Sequence, residues 1–186
     1  MAIILASQSP RRRELMGILR LPFTVQVADV DETMDLTLPP AQEVARVSAL
    51  KAATIACDAG DTVIAADTIV VCDGQVMGKP RDEQDAYRML RLLSGRTHQV
   101  MTGLTVKQGN RSISHTEVTD IRFRPLSDAE IWDYIATKDP MDKAGSYGIQ
   151  NGAALFAEGI CGDYFNVVGL PVCRLWQILK TLEEEV

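Results

Sequence analysis

The chain has 186 residues, 46% of them hydrophobic and 24% charged, which suits one globular domain with one substantial core and leaves a split into two lobes open. Its formal charge of -6 argues against general affinity for nucleic acid, so any phosphate-binding region must be a local concentration of positive charge. No stretch approaches the ~18 unbroken apolar residues that span a bilayer, and the start lacks the basic region of a signal peptide. A cytoplasmic protein without a membrane or nucleic-acid partner is therefore expected, with residues 1–186 as a single domain.

Along the chain, Ile3 to Ala6 is a short apolar run, as a buried strand requires. Ser9-Pro10 supplies an N-cap and a proline at the first helical position, with Leu15, Ile18 and Leu19 as the apolar stripe beyond. Phe23 to Val27 alternates like a strand. Ala41 to Cys57 has helical composition, with Val44, Val47, Ala52 and Ile55 as core candidates. Val63 to Val71 is nearly continuous β-prone hydrophobicity, interrupted by Asp67-Thr68, and Asp73-Gly74 predicts a hairpin returning through Gln75 to Met77. Arg81 to Leu93 reads as a helix closed by Ser94-Gly95. Thr97 to Lys107 and Ser112 to Phe123 flank Gly109-Asn110 as a second hairpin. Helices over Asp128 to Ala136 and Val172 to Glu184 complete the series. Helices and strands that alternate and then meet a hairpin predict an α/β domain with a mixed sheet.

Four features are candidates for chemistry. Arg11-Arg12-Arg13 follows Ser9-Pro10, where the helix dipole disfavours cations. Three arginines there either close on an anion or form a solvated helix end. Asp67 interrupts a buried strand, so its carboxylate is either paired with a cation or donors, or marks where the strand surfaces. Gly74 to Pro80 imitates a P-loop, but its glycine spacing is one residue short and Pro80 replaces the metal-binding hydroxyl; Lys79 is either a point charge reaching a phosphate from a loop or simply a solvated lysine, the commoner case. Asp142 to Gln150 combines two glycines with Lys143, Ser146 and Gln150, as in a tight loop whose backbone approaches something closely. Asp31-Glu32 is a weaker acidic pair. His98, in a predicted strand, reads as a hydrogen-bonded structural histidine. Cys57, Cys72, Cys161 and Cys173 form no Cys-x-x-Cys pair and read as reduced, mostly buried thiols.

Six segments together resemble the Maf family over nearly the whole chain. They are LASQSPRRREL (Leu5 to Leu15), AADT (Ala65 to Thr68), GKP (Gly78 to Pro80), LSGRTHQV (Leu93 to Val100), PMDKAGSYGIQ (Pro140 to Gln150) and GDYFNVVGLP (Gly162 to Pro171). The resemblance implies an inosine-triphosphate-pyrophosphatase-like fold, an elongated mixed sheet flanked by helices with a central cleft. It implies hydrolysis of a nucleoside triphosphate between its α and β phosphates, aided by a divalent cation, Mg2+ or Mn2+. Asp67 matches the family's proton acceptor, and Ser7, Arg12, Glu32, Lys51, Lys79 and Lys143 match the polar residues of its cleft. The expected metal ligands are Glu32 and Asp67, with phosphate oxygens. Arg11, Thr68 and Gln150 resemble the dTTP/UTP branch, whereas the 7-methyl-GTP branch tends to an aromatic, Gln and Glu at those positions. A homodimer is what the resemblance suggests. The rival readings are a nucleotide-binding regulator of septation with little turnover, and a 7-methyl-GTP or other purine-triphosphate pyrophosphatase. The absence of an acid-rich helix excludes a Nudix hydrolase.

Overall fold

The computed structural model describes residues 2–35 and 37–184. Strand β1 (Ile3–Ala6), strand β2 (Thr24–Gln26) and the long strand β3 (Thr62–Cys72) are joined by helices α1 (Pro10–Ile18) and α2 (Pro40–Thr54). Strand β4 (Gln75–Met77), helix α3 (Glu83–Leu93), and strands β5 (Thr97–Gln108) and β6 (Arg111–Phe123) follow. Helix α4 (Asp128–Ala136), three 3-10 turns between Asp139 and Leu155, strand β7 (Ala157–Cys161), and helices α5 (Tyr164–Val168) and α6 (Val172–Glu184) end the series. The seven strands form one sheet in the order β2-β1-β3-β5-β6-β7, with β4 on β3. β1 runs parallel to β2 and β3, whereas β4 on β3 and β7 on β6 are antiparallel, so the sheet is mixed as expected.

The described residues divide into two compact units. The first takes those of Met1–Asp67, Thr102–Glu117 and Gly169–Val186. Strands β1 and β3 are largely buried, whereas β2 is not, and Ile4, Ala6, Val63 and Ala65 pack with Ala52 and Ile55 of the α2 region. Each fully buried Ile or Val contributes about 1.5–3 kcal/mol relative to exposure. The α2 backbone lies directly on β5 at Gly103, where an added Cβ would stand 2.2 Å from the Val44 carbonyl oxygen. Beside that notch, Ser48 Oγ donates to the Ala45 carbonyl at 2.8 Å and meets Thr105 Oγ1 at 2.8 Å, which in turn meets Ser114 Oγ at 2.8 Å. In α1 the expected stripe is shifted. Leu15 and Met16 are buried, while Ile18 is 52% exposed because the nine-residue helix ends there.

The second unit takes Thr68–Met101 and Val118–Val168. Helix α4 begins in a capping box, Ser127 accepting from the Glu130 amide and Glu130 accepting from the Ser127 amide. Tyr87 of α3 stacks on Trp132 of α4 at 4.9 Å. Helix α5 is fastened through buried Asn166, whose amide donates to the Val100 carbonyl and to Thr119 Oγ1 at 3.0 and 2.9 Å. That is the local reason for an asparagine inside GDYFNVVGLP. Of the four free cysteines only Cys72 is buried; Cys161 and Cys173 are exposed, against the expectation of mostly buried thiols.

Candidate active site

In the first unit, β1 ends at Ala6 and the chain turns at once into α1. Ser7 is buried there, and its Oγ accepts from the Ser9 amide at 3.1 Å. Ser9 caps α1 by accepting from the Arg12 amide, and Pro10 sets the first helical φ. The three arginines diverge. Arg13 is exposed, while half-buried Arg12 donates from Nε to the Gly169 carbonyl at 2.8 Å and from Nη1 to Ser7 Oγ at 3.4 Å. Burial pulls the Arg12 pKa below its ordinary value, with Arg11 adding to the effect, against the opposing fields of Asp67 and Glu32. Those two carboxylates thus lie within electrostatic range of the guanidinium.

Lys51, in the last turn of α2, is the buried centre of this group. Its ammonium lies 2.7 Å from Asp67 Oδ1 and 2.9 Å from Glu32 Oε1. The Asp67 side chain is 15% exposed and that of Glu32 57%, so the first carboxylate is held inside and the second reaches in from solvent. Asp67 is therefore ion-paired rather than merely solvated, which accounts for a carboxylate in an apolar strand. Two carboxylates already converge on one cation, and that donor set suits a divalent ion that takes one or two carboxylates and fills its shell with phosphate oxygens and water. Among the described residues no group of three or more His, Cys, Asp or Glu gathers.

In the second unit, Thr68 continues the strand after Asp67 and is half-buried, and Lys79 is exposed. The Gly145 amide donates to the Gly78 carbonyl at 3.0 Å, tying the GKP loop to the DKAG loop. Gly145 has φ +68, and an added Cβ would press on Val70 at 2.8 Å, so that glycine is required twice over. Buried Lys143 spends its three donors on the Asp139 carbonyl at 2.7 Å, Asp139 Oδ1 at 3.1 Å and Asp142 Oδ1 at 2.6 Å. Of its two carboxylate partners Asp142 is the open one, its side chain 62% exposed. Gln150 is exposed, in a tight turn closed by the Asn151 amide on the Gly148 carbonyl at 3.1 Å. His98 is buried on Tyr147, Nε2 to hydroxyl 2.8 Å, in the structural role expected of it. Burial pushes its pKa down to about 4, partly opposed by Asp120.

The structure thus joins Ser7, Arg12, Glu32, Lys51 and Asp67 in one unit, with Arg11 half-buried beside Arg12, while Thr68, Lys79, Lys143 and Gln150 belong to the other. Two residues that sequence reasoning did not single out, Tyr134 and Asp139, hold the loop of Lys143 and Gln150. The available signal was the Asp139–Lys143 spacing of four ahead of the glycines.

The first unit thus holds a buried cation shared by two acids, and an inward arginine at a helix start. The chain belongs to the Maf family: residues 2–182 match the family described as Maf-like protein. A dTTP/UTP pyrophosphatase of Moorella thermoacetica is 49% identical over 99% of this chain and 96% of its own length. Proteins of the same name from Thermococcus onnurineus and Bacillus pumilus are 49% and 47% identical, covering 95% and 96% of this chain and 95% of each relative. Among solved structures, a HAM1 protein from Coxiella burnetii aligns over the whole of both chains with a TM-score of 0.48 and 15% identity.

Proposed function

We propose that the chain is a nucleoside-triphosphate pyrophosphatase, hydrolysing dTTP and UTP to the nucleoside monophosphate and pyrophosphate. The observation that carries this reading is identity of nearly one half, over almost the full length, to enzymes named for that activity. The site geometry agrees with it. Asp67, oriented by Lys51, takes a proton from water as the water oxygen bonds to the α phosphorus and the α–β bridging bond breaks. Arg12 and Lys51 stabilise the charge that grows on the departing pyrophosphate, with Lys79 and Lys143 supplying further cations and Ser7 holding the Arg12 guanidinium.

Glu32 and Asp67 would hold Mg2+ or Mn2+, which when bound neutralises phosphate charge. Arg11, Thr68 and Gln150 set the preference for pyrimidine bases. The Gln150 amide both donates and accepts, matching the neighbouring donor and acceptor on uracil or thymine. A cytoplasmic location and a homodimer belong to the same proposal; sedimentation of the purified chain tests the second. The reading is tested by pyrophosphate release from a panel of nucleoside triphosphates, with and without Mg2+. Release from dTTP and UTP well above the purine triphosphates is expected, and a panel without turnover would overturn it.

A further inference from the structure

Gln150 stands at the third position of the turn Gly148-Ile149-Gln150-Asn151, and both ends of that turn are tied to one carboxylate. At the first end, the Gly148 amide donates to the Tyr134 hydroxyl at 2.9 Å, and that hydroxyl donates to Asp139 Oδ2. At the far end, Asn151 Nδ2 donates to Asp139 Oδ1 at 2.5 Å. Lys143 reaches the same oxygen at 3.1 Å. Tyr134 is itself held by Phe156, ring edge to face at 5.3 Å.

The glycines record how closely these parts fit. A Cβ at Gly148 would lie 2.7 Å from Lys143 Cε and 3.2 Å from Asp139 Oδ2, and one at Gly152 would lie 3.2 Å from the Tyr134 ring. Burial of Asp139 would raise its pKa, but hydrogen bonds from Tyr134, Asn151 and Lys143 outweigh it and hold the carboxyl below its ordinary value. The acid is therefore ionised and acts as an acceptor only. A turn bonded at one end to a charged acceptor, and at the other to the hydroxyl that donates to that acceptor, cannot change its pitch without breaking one of these bonds.

We propose that Tyr134 and Asp139 are positioning residues for base selection, holding the 148–151 turn so that Gln150 presents its amide to the nucleobase at a fixed angle. The inference rests on the reading of Gln150 as a base-selecting residue. Neither Tyr134 nor Asp139 touches the substrate in this arrangement; both act through the turn.

The test compares kcat and KM for UTP and CTP, two triphosphates that differ only in the pairing edge of the base. The proteins are wild type, Gln150→Ala, Tyr134→Phe and Asn151→Ala. Tyr134→Phe keeps the ring and removes only the shared hydroxyl, and Asn151 is exposed, so its loss leaves the fold in place. The expected result is a UTP-over-CTP preference in wild type that falls about tenfold in Gln150→Ala and in Tyr134→Phe and about threefold in Asn151→Ala, mostly through KM for UTP. A purely structural role for the hub would lower both substrates in parallel, or lower only the melting temperature, and either result overturns the proposal. Absence of the preference in wild type, or its survival in Gln150→Ala, would overturn the underlying reading instead. A preference lost in Gln150→Ala yet kept in both Tyr134→Phe and Asn151→Ala overturns the positioning role alone. Should Tyr134→Phe not fold, the ratio in Asn151→Ala decides.

Discussion

Lys51 answers two carboxylates at once, and that sharing decides what each single substitution does. With Asp67→Asn the ammonium keeps Glu32 and a neutral acceptor, so the unit stays folded while the proposed proton acceptor is lost. Turnover of UTP should fall by ~100-fold or more, with nucleotide binding retained. Pyrophosphate release and a nucleotide-binding isotherm on the same preparation check this, and near-wild-type rates would remove Asp67 from the mechanism. The arginines divide as sharply. Arg12 is directed inward onto Ser7 and Gly169 and Arg13 is exposed, so Arg12→Ala should reduce kcat/KM by about 10- to 100-fold and Arg13→Ala by less than about threefold. Equal small effects would make the cluster a solvated helix end. The residue types of this site were legible in the sequence, since an acid in an apolar strand and cations at a helix start are each locally anomalous. Their partners were not. Nothing local in the chain says that Lys51 bridges Asp67 and Glu32, because that pairing exists only once α2 lies on the sheet.

Among the elements, those with strong local chemistry were legible and those without it were not. α4 and α6 fall where they were expected, and α2 and α3 within a few residues, because periodic apolar positions and caps such as Ser127 mark them. The 3-10 turns between Asp139 and Leu155 have no periodicity to read. β7 is a short edge strand containing Gly159, too weak in β composition to announce itself, and α5 spans only five residues. The contact of α2 with β5 leads to a test of its own. Gly103→Ala would drive a methyl into the Val44 carbonyl, costing about 3 kcal/mol or more, and would push away the helix that carries Lys51. Urea unfolding and pyrophosphate release should therefore fail together, although Gly103 bears no side chain. A stable variant with full activity would show that α2 can lift without disturbing Lys51.

For the whole molecule, acid stability is the readout that His98 controls. Its folded pKa of about 4 lies below the ordinary 6.5, so between those values the unfolded chain binds a proton that the native state refuses. Stability is thus fully present above about pH 6.5 and declines as the pH falls towards 4, by about 2 kcal/mol at pH 5. Urea midpoints at pH 7 and 5 should show this loss in wild type and a clearly smaller one in His98→Gln; equal losses would place the acid sensitivity elsewhere. The hydroxyls that seat α2 have an orientation as well as a position. Ser48 commits its only proton to the Ala45 carbonyl, so it can only receive from Thr105, and Thr105, having given its own, can only receive from Ser114. The three O–H dipoles therefore run one way, from Ser114 inward to the helix backbone, and reversing them would take the Ser48 proton off the Ala45 carbonyl.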